Sequence, residues 1–120
     1  MALHSTRDAV AAYVTKDGSE IRELLHPGRD AVRNQSLAEA VVPPGTTTLL
    51  HRHLRSEEIY HVTRGNGLMT LGDSQFAIAA GDSIVILPGT PHCVANTGDA
   101  ALHILCCCAP AYAHDDTELL

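Results

Sequence analysis

Aromatic side chains and positive charge are both scarce in this chain. Its 120 residues include three Tyr, one Phe and no Trp, and eight Lys and Arg stand against fourteen Asp and Glu, for a formal net charge of −6. Proteins that bind single-stranded nucleic acids stack bases on aromatic rings, and any nucleic-acid backbone attracts basic surfaces. We therefore expect no nucleic-acid partner.

Long apolar runs and paired-cysteine motifs are also missing. No stretch approaches the roughly 18 to 20 apolar residues that span a bilayer, so we expect no membrane partner. The first residues, MALHSTRDAVAAY, lack the apolar core of a signal peptide. The four cysteines show no CxxC spacing, which favours reduced thiols in a cytoplasmic protein. They are Cys93, Cys106, Cys107 and Cys108.

Histidine, by contrast, is abundant. The chain contains eight histidines. Imidazole is the commonest metal ligand in proteins and the usual acid or base near neutral pH. The composition therefore indicates a metal or proton-transfer site.

From about residue 35 onward, short apolar runs alternate with turn residues at the spacing of antiparallel strands in a sandwich or barrel. Gly-Asp and Asn-Gly pairs between the runs supply the positive φ angles of tight turns. No helical period is sustained, so the pattern predicts an all-β domain. The predicted strands are Ser36–Val42, Thr46–His53, Glu58–Thr63, Gly67–Leu71, Gln75–Ala79, Ser83–Leu87, His92–Ala95 and Ala101–Cys108.

The two ends of the chain differ from this β region. We predict an N-terminal arm over residues 1–34, with a short helix at Thr6–Tyr13 and a strand at Glu20–Leu25, packed on the barrel or on a partner subunit. The barrel itself is predicted over residues 35–112. Residues 113–120 form a polar, partly mobile tail in this interpretation.

The segment from Gly45 to Gly65 contains the most informative histidines. His51 and His53 are two residues apart on a predicted strand, so both imidazoles lie on one face, about 6.6 Å apart at the backbone. A hairpin after them would return Glu57 or Glu58 to the same place. Two imidazoles and a carboxylate bind divalent transition metals and leave positions open for water, O₂ or a substrate.

A second segment supplies another imidazole. Pro88, Gly89 and Pro91 form a stiff turn directly before His92, at the start of the next predicted strand. If this strand lies beside the first, the site gains a third histidine.

The first segment resembles the first motif of the cupin superfamily. That motif has a glycine, five residues, HxH, three or four residues, a glutamate, six residues and a glycine. Gly45, His51, His53, Glu58 and Gly65 match it, and the last spacing selects Glu58 over its neighbour.

The second segment resembles the second cupin motif, which has a glycine, five residues, PxG, two residues, a histidine, three residues and an asparagine. Gly81, Gly89, His92 and Asn96 match it, while Leu87 replaces the usual proline. The fifteen residues between the motifs (66–80) are the short spacing typical of microbial members.

The resemblance is to a small single-domain cupin, and it implies an antiparallel jelly-roll β-barrel, commonly a homodimer. It also implies one divalent transition metal per chain, held by His51, His53, Glu58 and His92. Iron, manganese, nickel, copper, cobalt and zinc all suit such a ligand set, because mixed imidazole and carboxylate sites discriminate weakly among these ions.

Other residues near the motifs are candidates for the pocket. Tyr60 shares the predicted face of Glu58, which makes it the candidate catalytic residue. His61 points the opposite way. On the last strand, His103 or one cysteine of Cys106–Cys108 could line the pocket, and the sequence leaves open which.

Three functions fit this pattern. The first is a metal-dependent enzyme of the dioxygenase or oxidoreductase type acting on a small organic molecule. The second is sugar or sugar-phosphate isomerisation, as in cupins likened to mannose-6-phosphate isomerase. The third is a non-catalytic module that binds or senses a small ligand. The sequence selects neither the substrate nor the metal.

Overall fold

The computed structural model describes all residues, Met1–Leu120, and they form two antiparallel β-sheets. Two single turns of 3₁₀ helix, at Arg7–Ala9 and His114–Asp116, are the only helical elements. The strands in chain order are β1 (Tyr13–Val14), β2 (Glu20–Leu25), β3 (Ser36–Val42), β4 (His51–His53), β5 (Glu57–Arg64), β6 (Asn66–Leu71), β7 (Ser74–Ala79), β8 (Ser83–Ile86), β9 (His92–Asn96), β10 (Leu102–Ala109) and β11 (Thr117–Leu119).

The two sheets have the jelly-roll arrangement of a cupin, which confirms the predicted fold class. One sheet has the strand order β1-β2-β3-β10-β5-β8, and the other has the order β11-β4-β9-β6-β7. Consecutive strands therefore often lie in different sheets, as β4 and β5 do. Neither of the two 3₁₀ turns approaches the length or the apolar character of a membrane-spanning helix.

Alternation along the strands builds the interior between the sheets. On β5 from Glu57 to Thr63, and along β10, buried side chains alternate with partly or fully exposed ones. Successive side chains of a strand point to opposite faces, so each sheet contributes one face to the core. The apolar core consists of Ile21, Ala38, Ala40, Val42, Tyr60, Val62, Met69, Ile78, Ile84, Ile86, Val94, Leu102, Ile104 and Cys106.

The N-terminal segment departs from the predicted helix at Thr6–Tyr13. Only Arg7–Ala9 are helical, and no side chain caps them, while Tyr13 and Val14 pair with Ile21 and Glu20. A helix this short is costly to nucleate, whereas an aromatic and a β-branched residue suit the edge of a sheet. The predicted strand Glu20–Leu25 is present with the same bounds as β2.

The expected hairpin after His53 is absent. Strand β4 pairs with β9 and β11 in one sheet, whereas β5 pairs with β8 and β10 in the other. Leu54–Ser56 instead carry the chain from one sheet to the other. Glu58 therefore approaches the histidines across the interior, because the inward faces of the two sheets oppose each other.

The C-terminal residues form ordered structure where the sequence predicts a partly mobile tail. Strand β11 pairs with β4, so that Thr117 lies opposite His53 and Leu119 opposite His51. The buried Asp116 carboxylate fixes the start of this strand by accepting bonds from the backbone N–H groups of Arg55 and Ser56, at 2.9 and 3.1 Å. The terminus thereby becomes a neighbour of the histidine strand.

Candidate metal centre

Three histidines from two adjacent strands meet inside the structure. His51 and His53 are on β4, and His92 begins β9 directly opposite His51. All three are buried, and His92 has no exposed surface. One nitrogen from each ring lies within 4.8 Å of the others, so the three histidines form a group that could hold one metal ion.

Hydrogen bonds to the outer nitrogens define which nitrogen each ring offers. His51 Nδ1 is 2.9 Å from the carbonyl oxygen of Leu49, and His92 Nδ1 is 2.9 Å from that of Thr90. A carbonyl only accepts hydrogen bonds, so both Nδ1 atoms carry the proton. Burial, reinforced by His92, lowers the pKa of His51 and favours its neutral form. The Nε2 atoms are then free to bind a metal.

His53 is oriented by the C-terminal strand. Its Nδ1 is 3.0 Å from the hydroxyl oxygen of Thr117, and that hydroxyl donates its own proton to the carbonyl of Ala113. The oxygen must therefore accept from His53 Nδ1–H, which leaves Nε2 of this ring unprotonated as well. Such outer hydrogen bonds fix both the tautomer and the orientation of metal-binding imidazoles.

The Glu58 carboxylate faces these nitrogens from the other sheet. Its Oε1 is 3.2 Å from His53 Nε2 and 3.5 Å from His92 Nε2, while its Oε2 accepts a hydrogen bond from the Cys108 thiol at 3.3 Å. Burial raises the pKa of Glu58, whereas protons on the facing nitrogens of His53 and His92 would lower the pKa to about 2. Positive charge in the cluster, from an imidazolium or from a bound cation, therefore keeps this buried side chain a carboxylate.

This arrangement fits a divalent cation. Glu58 Oε1 and His92 Nε2 are buried and have no hydrogen-bond partner. Because the histidine protons are on Nδ1, a carboxylate oxygen faces imidazole lone pairs, and buried acceptors without donors are costly. A transition-metal ion would satisfy all of these atoms together, and nitrogen and oxygen donors are its ordinary ligands.

A small cavity adjoins the histidine cluster. Its volume is about 50 Å³, far below the 300–1,000 Å³ typical of pockets for larger organic ligands. The lining has three carboxylates, those of Asp17, Glu23 and Glu58, and it contains no Lys or Arg. The space suits a ligand of a few heavy atoms, and it offers no basic side chain to a phosphate.

Tyr60 lines this cavity, as its position two residues after Glu58 predicts. Its ring packs edge-on to that of His92, with centroids 6.0 Å apart. Burial, and next the Glu58 charge, raise its pKa well above the usual range. Tyr60 therefore keeps its proton and could donate it in a hydrogen bond.

On β10 the structure decides which residues face inward. Both Cys106 and Cys108 line the cavity, where the sequence left open whether His103 or one of the three cysteines does so. His103 and Cys107 are on the other face, where His103 approaches Glu39 and Cys107 contacts Gln35. Strand alternation explains the division, since the inward set has even numbers. All four cysteines of the chain are free.

The same alternation separates the residues on β5. Glu58 is buried at the cluster, whereas Glu57 is exposed. His61 points away from the cavity, and its Nδ1 lies 2.8 Å from Ser83 Oγ on the neighbouring strand.

The glycine and asparagine of the second motif stabilise the turn before His92 and the strand that begins with it. Gly89 adopts a positive φ of 79° in the turn before His92, and its N–H donates to the carbonyl of His53. The Asn96 amide donates to the carbonyls of Val42 and Ala100. These bonds hold β9 against its neighbours and so position His92.

Sequence reasoning missed two side chains beside the cluster. Asp17 has an oxygen 3.7 Å from His51 Nε2, and Thr117 contacts His53. Both come from segments assigned to the arm and the tail. The sequence contains no local signal for either, because Thr117 reaches the site through the pairing of β11 with β4, and Asp17 through the packing of the β1–β2 turn against the other sheet.

Comparison with known proteins agrees with this architecture. The family model for the cupin domain matches residues 38–108. The chain is 55% identical over 113 residues to the uncharacterized protein MJ1618 of Methanocaldococcus jannaschii, covering 94% of this chain and 90% of that protein. It is 32% identical over 88 residues to the oxalate-binding protein of Thermotoga maritima, covering 72% of this chain and 71% of that protein.

A solved structure shows the same fold. A Streptomyces PAC13 variant with uridine has a TM-score of 0.80 and 16% identity, covering 100% of this chain and 92% of that chain. That neighbour binds a small molecule, and at this identity the likeness extends to the fold alone. The matched family model spans more than half of the chain and includes both histidine motifs, and it shows that this chain belongs to the cupin family.

Proposed function

We propose that this cupin is a metal-dependent enzyme of the dioxygenase or oxidoreductase type that acts on a small organic molecule. The observation that supports this most strongly is the convergence of three imidazole nitrogens and the Glu58 carboxylate beside a buried cavity. In this proposal His51, His53, Glu58 and His92 hold one iron, manganese, nickel, copper, cobalt or zinc ion. The ion would supply Lewis acidity or a place for O₂ next to the substrate.

The protein's own residues have distinct parts in this proposal. Backbone carbonyls and Thr117 orient the imidazoles, and Cys108 holds one oxygen of Glu58. The small volume of the cavity restricts the substrate to a few heavy atoms. Tyr60 stays protonated, so it donates a hydrogen bond to substrate oxygen and is the proposed catalytic residue.

The cavity weighs against sugar-phosphate isomerisation. A sugar phosphate is much larger than a space of about 50 Å³, and its phosphate would find no Lys or Arg in the lining. A non-catalytic binding module is the better second candidate. It is supported by the relative named an oxalate-binding protein, which is 32% identical to this chain.

The decisive experiment combines metal analysis with oxygen uptake. Protein purified without chelator is analysed for metal, and O₂ consumption is then followed with small acids and diketones. Substrate-dependent uptake that Glu58→Gln abolishes and Glu57→Gln retains supports the enzyme. In Tyr60→Phe, the bound metal should persist while kcat falls. Bound metal without turnover, but with thermal stabilisation by a small ligand, supports the binding module instead.

We further propose a cytoplasmic homodimer. The four free cysteines suit a reducing compartment. Ile59 and Val85 are paired on β5 and β8 and are 47% and 55% exposed, which provides an apolar patch on the outer sheet face. Light scattering after size-exclusion chromatography should give twice the chain mass, and Val85→Glu should give the monomer. A monomeric wild-type protein would contradict this assembly.

A further inference from the structure

Asp17 carries a second carboxylate into the histidine cluster from the N-terminal arm. It lies in the turn between β1 and β2, and its side chain is 13% exposed. One oxygen, Oδ1, accepts hydrogen bonds from Thr15 Oγ1 at 2.6 Å and from the hydroxyl and N–H of Ser19 at 2.6 and 2.9 Å. These bonds fix the direction in which the other oxygen points.

That other oxygen, Oδ2, faces the cluster. It is 3.7 Å from His51 Nε2, and both residues line the cavity. His51 has its proton on Nδ1, so Oδ2 and Nε2 are two acceptors that face each other. The buried and unpartnered atoms Glu58 Oε1 and His92 Nε2 are in the same cluster. A cation between these facing acceptors, or a hydrogen-bond donor that accompanies the cation, would satisfy them.

Bonds on either side hold the turn in place. The carbonyl of Asp17 accepts the N–H of Leu49, two residues before His51, at 2.7 Å. The Lys16 ammonium donates to the carbonyls of His114 and Thr117, at 3.0 and 2.9 Å. The arm is thus attached both to the histidine strand and to the C-terminal strand, and these bonds hold the Asp17 carboxylate beside His51.

We propose that Asp17 is part of the metal centre, where its Oδ2 contributes a second negative charge and makes the site selective against dianionic ligands. This inference rests on the proposed metal function. The carboxylates of Asp17 and Glu58 together balance the charge of a divalent ion. A bound dianion such as oxalate would then add uncompensated negative charge in a lining without Lys or Arg. Neutral or singly charged oxygen donors are the ligands that this centre favours.

Asp17→Asn tests the inference, because the amide oxygen keeps the acceptor for Thr15 and Ser19, while a neutral NH₂ group that cannot bind a metal replaces the charged Oδ2. Isothermal titration calorimetry should show Mn²⁺ affinity reduced by roughly tenfold or more. Oxalate affinity of the manganese-loaded protein should rise by roughly tenfold, since the opposing charge is gone. Exposed Asp99→Asn changes the net charge equally and should alter neither value. A structural defect alone would not move the two affinities in opposite directions.

The outcomes separate the two proposals. If the wild type binds Mn²⁺ and Asp17→Asn binds both Mn²⁺ and oxalate with unchanged affinity, the role of Asp17 is wrong while the metal centre stands. If Asp17→Asn and Asp99→Asn lower the Mn²⁺ affinity equally, the effect is one of net charge and the role is again wrong. If the wild type binds no Mn²⁺ or Co²⁺, both proposals fail.

Discussion

The interior of this protein has two ends that are both buried and chemically opposite. Along β5, the inward residues change from Glu58 through Tyr60 to Val62, and opposite them β10 changes from Cys108 through Cys106 to Ile104. We call the half with Glu58 and the three histidines the site end. The half with Val62, Met69, Leu102 and Ile104 is the apolar end.

The two ends show how one fold separates stability from chemistry. At the apolar end, burial removes hydrocarbon from water, which stabilises the folded state. At the site end, acceptors without donors reduce stability unless a cation binds them. The same strands run through both ends, so packing at the apolar end also holds the backbone of Glu58 and the three histidines in place. Substitutions at the two ends should therefore affect different measured properties.

The largest effect on folding is expected at the apolar end. Leu102 has no exposed surface, and Leu102→Ala leaves a cavity that should lower the free energy of unfolding by about 2–5 kcal/mol. Urea denaturation measures this change. Leu87→Ala, at a side chain that is 57% exposed, is the matched control and should stay within about 0.5 kcal/mol of wild type. A loss below about 1 kcal/mol at Leu102 would contradict the division between the ends.

At the site end, the largest effect is expected on metal affinity. Glu58→Gln removes the one carboxylate that contacts both His53 and His92, so Mn²⁺ or Co²⁺ should bind more than about 100-fold more weakly. Without metal, the free energy of unfolding of the Glu58→Gln protein should differ little from that of the wild type. Titration calorimetry checks the affinity, and exposed Glu57→Gln is the control. A greater loss in Glu57→Gln would show that the ligand register is wrong.

A smaller effect is expected from the C-terminal strand. Thr117→Val removes the acceptor of His53 Nδ1–H, so this imidazole loses its fixed orientation and metal affinity should fall by about 10–100-fold. The same titration measures it. Thr47→Val, on an exposed side chain, should leave the affinity unchanged. Equal affinities in the two variants would mean that the strand does not position the ligand.

The smallest effect concerns acid stability. Burial raises the pKa of Asp116, but hydrogen bonds from Ser56 and Arg55 outweigh it and lower the net pKa. Its ionised form therefore stabilises the fold above its unfolded pKa, and this contribution disappears as the pH falls towards the folded value. Thermal melting from pH 6 to about pH 3 should show a shallower decline in Asp116→Asn than in wild type. Exposed Asp115→Asn should follow the wild-type curve.

The pattern of apolar and turn residues was sufficient to predict most of the strands. Ser36–Val42 and Glu20–Leu25 have the predicted bounds, because alternation and flanking turns act locally. The inward direction of Tyr60 and the outward direction of His61 follow from the same rule. Wrong predictions occurred where a partner strand decides, as at Thr6–Tyr13, which mostly forms no helix, and after His53, where the chain changes sheets.

Strand period and motif spacing are encoded over a few neighbouring positions, so the sequence was enough to predict the β architecture and to propose His51, His53, Glu58 and His92 as metal ligands. No local pattern shows that Asp17 and Thr117 lie beside His51 and His53, because Thr117 arrives by the pairing of β11 with β4 and Asp17 by the packing of the β1–β2 turn across the two sheets. The tertiary structure also decided that Glu58 approaches from the opposite sheet. Strand alternation sets the face towards which a side chain points, and the packing of distant segments sets which residues it contacts.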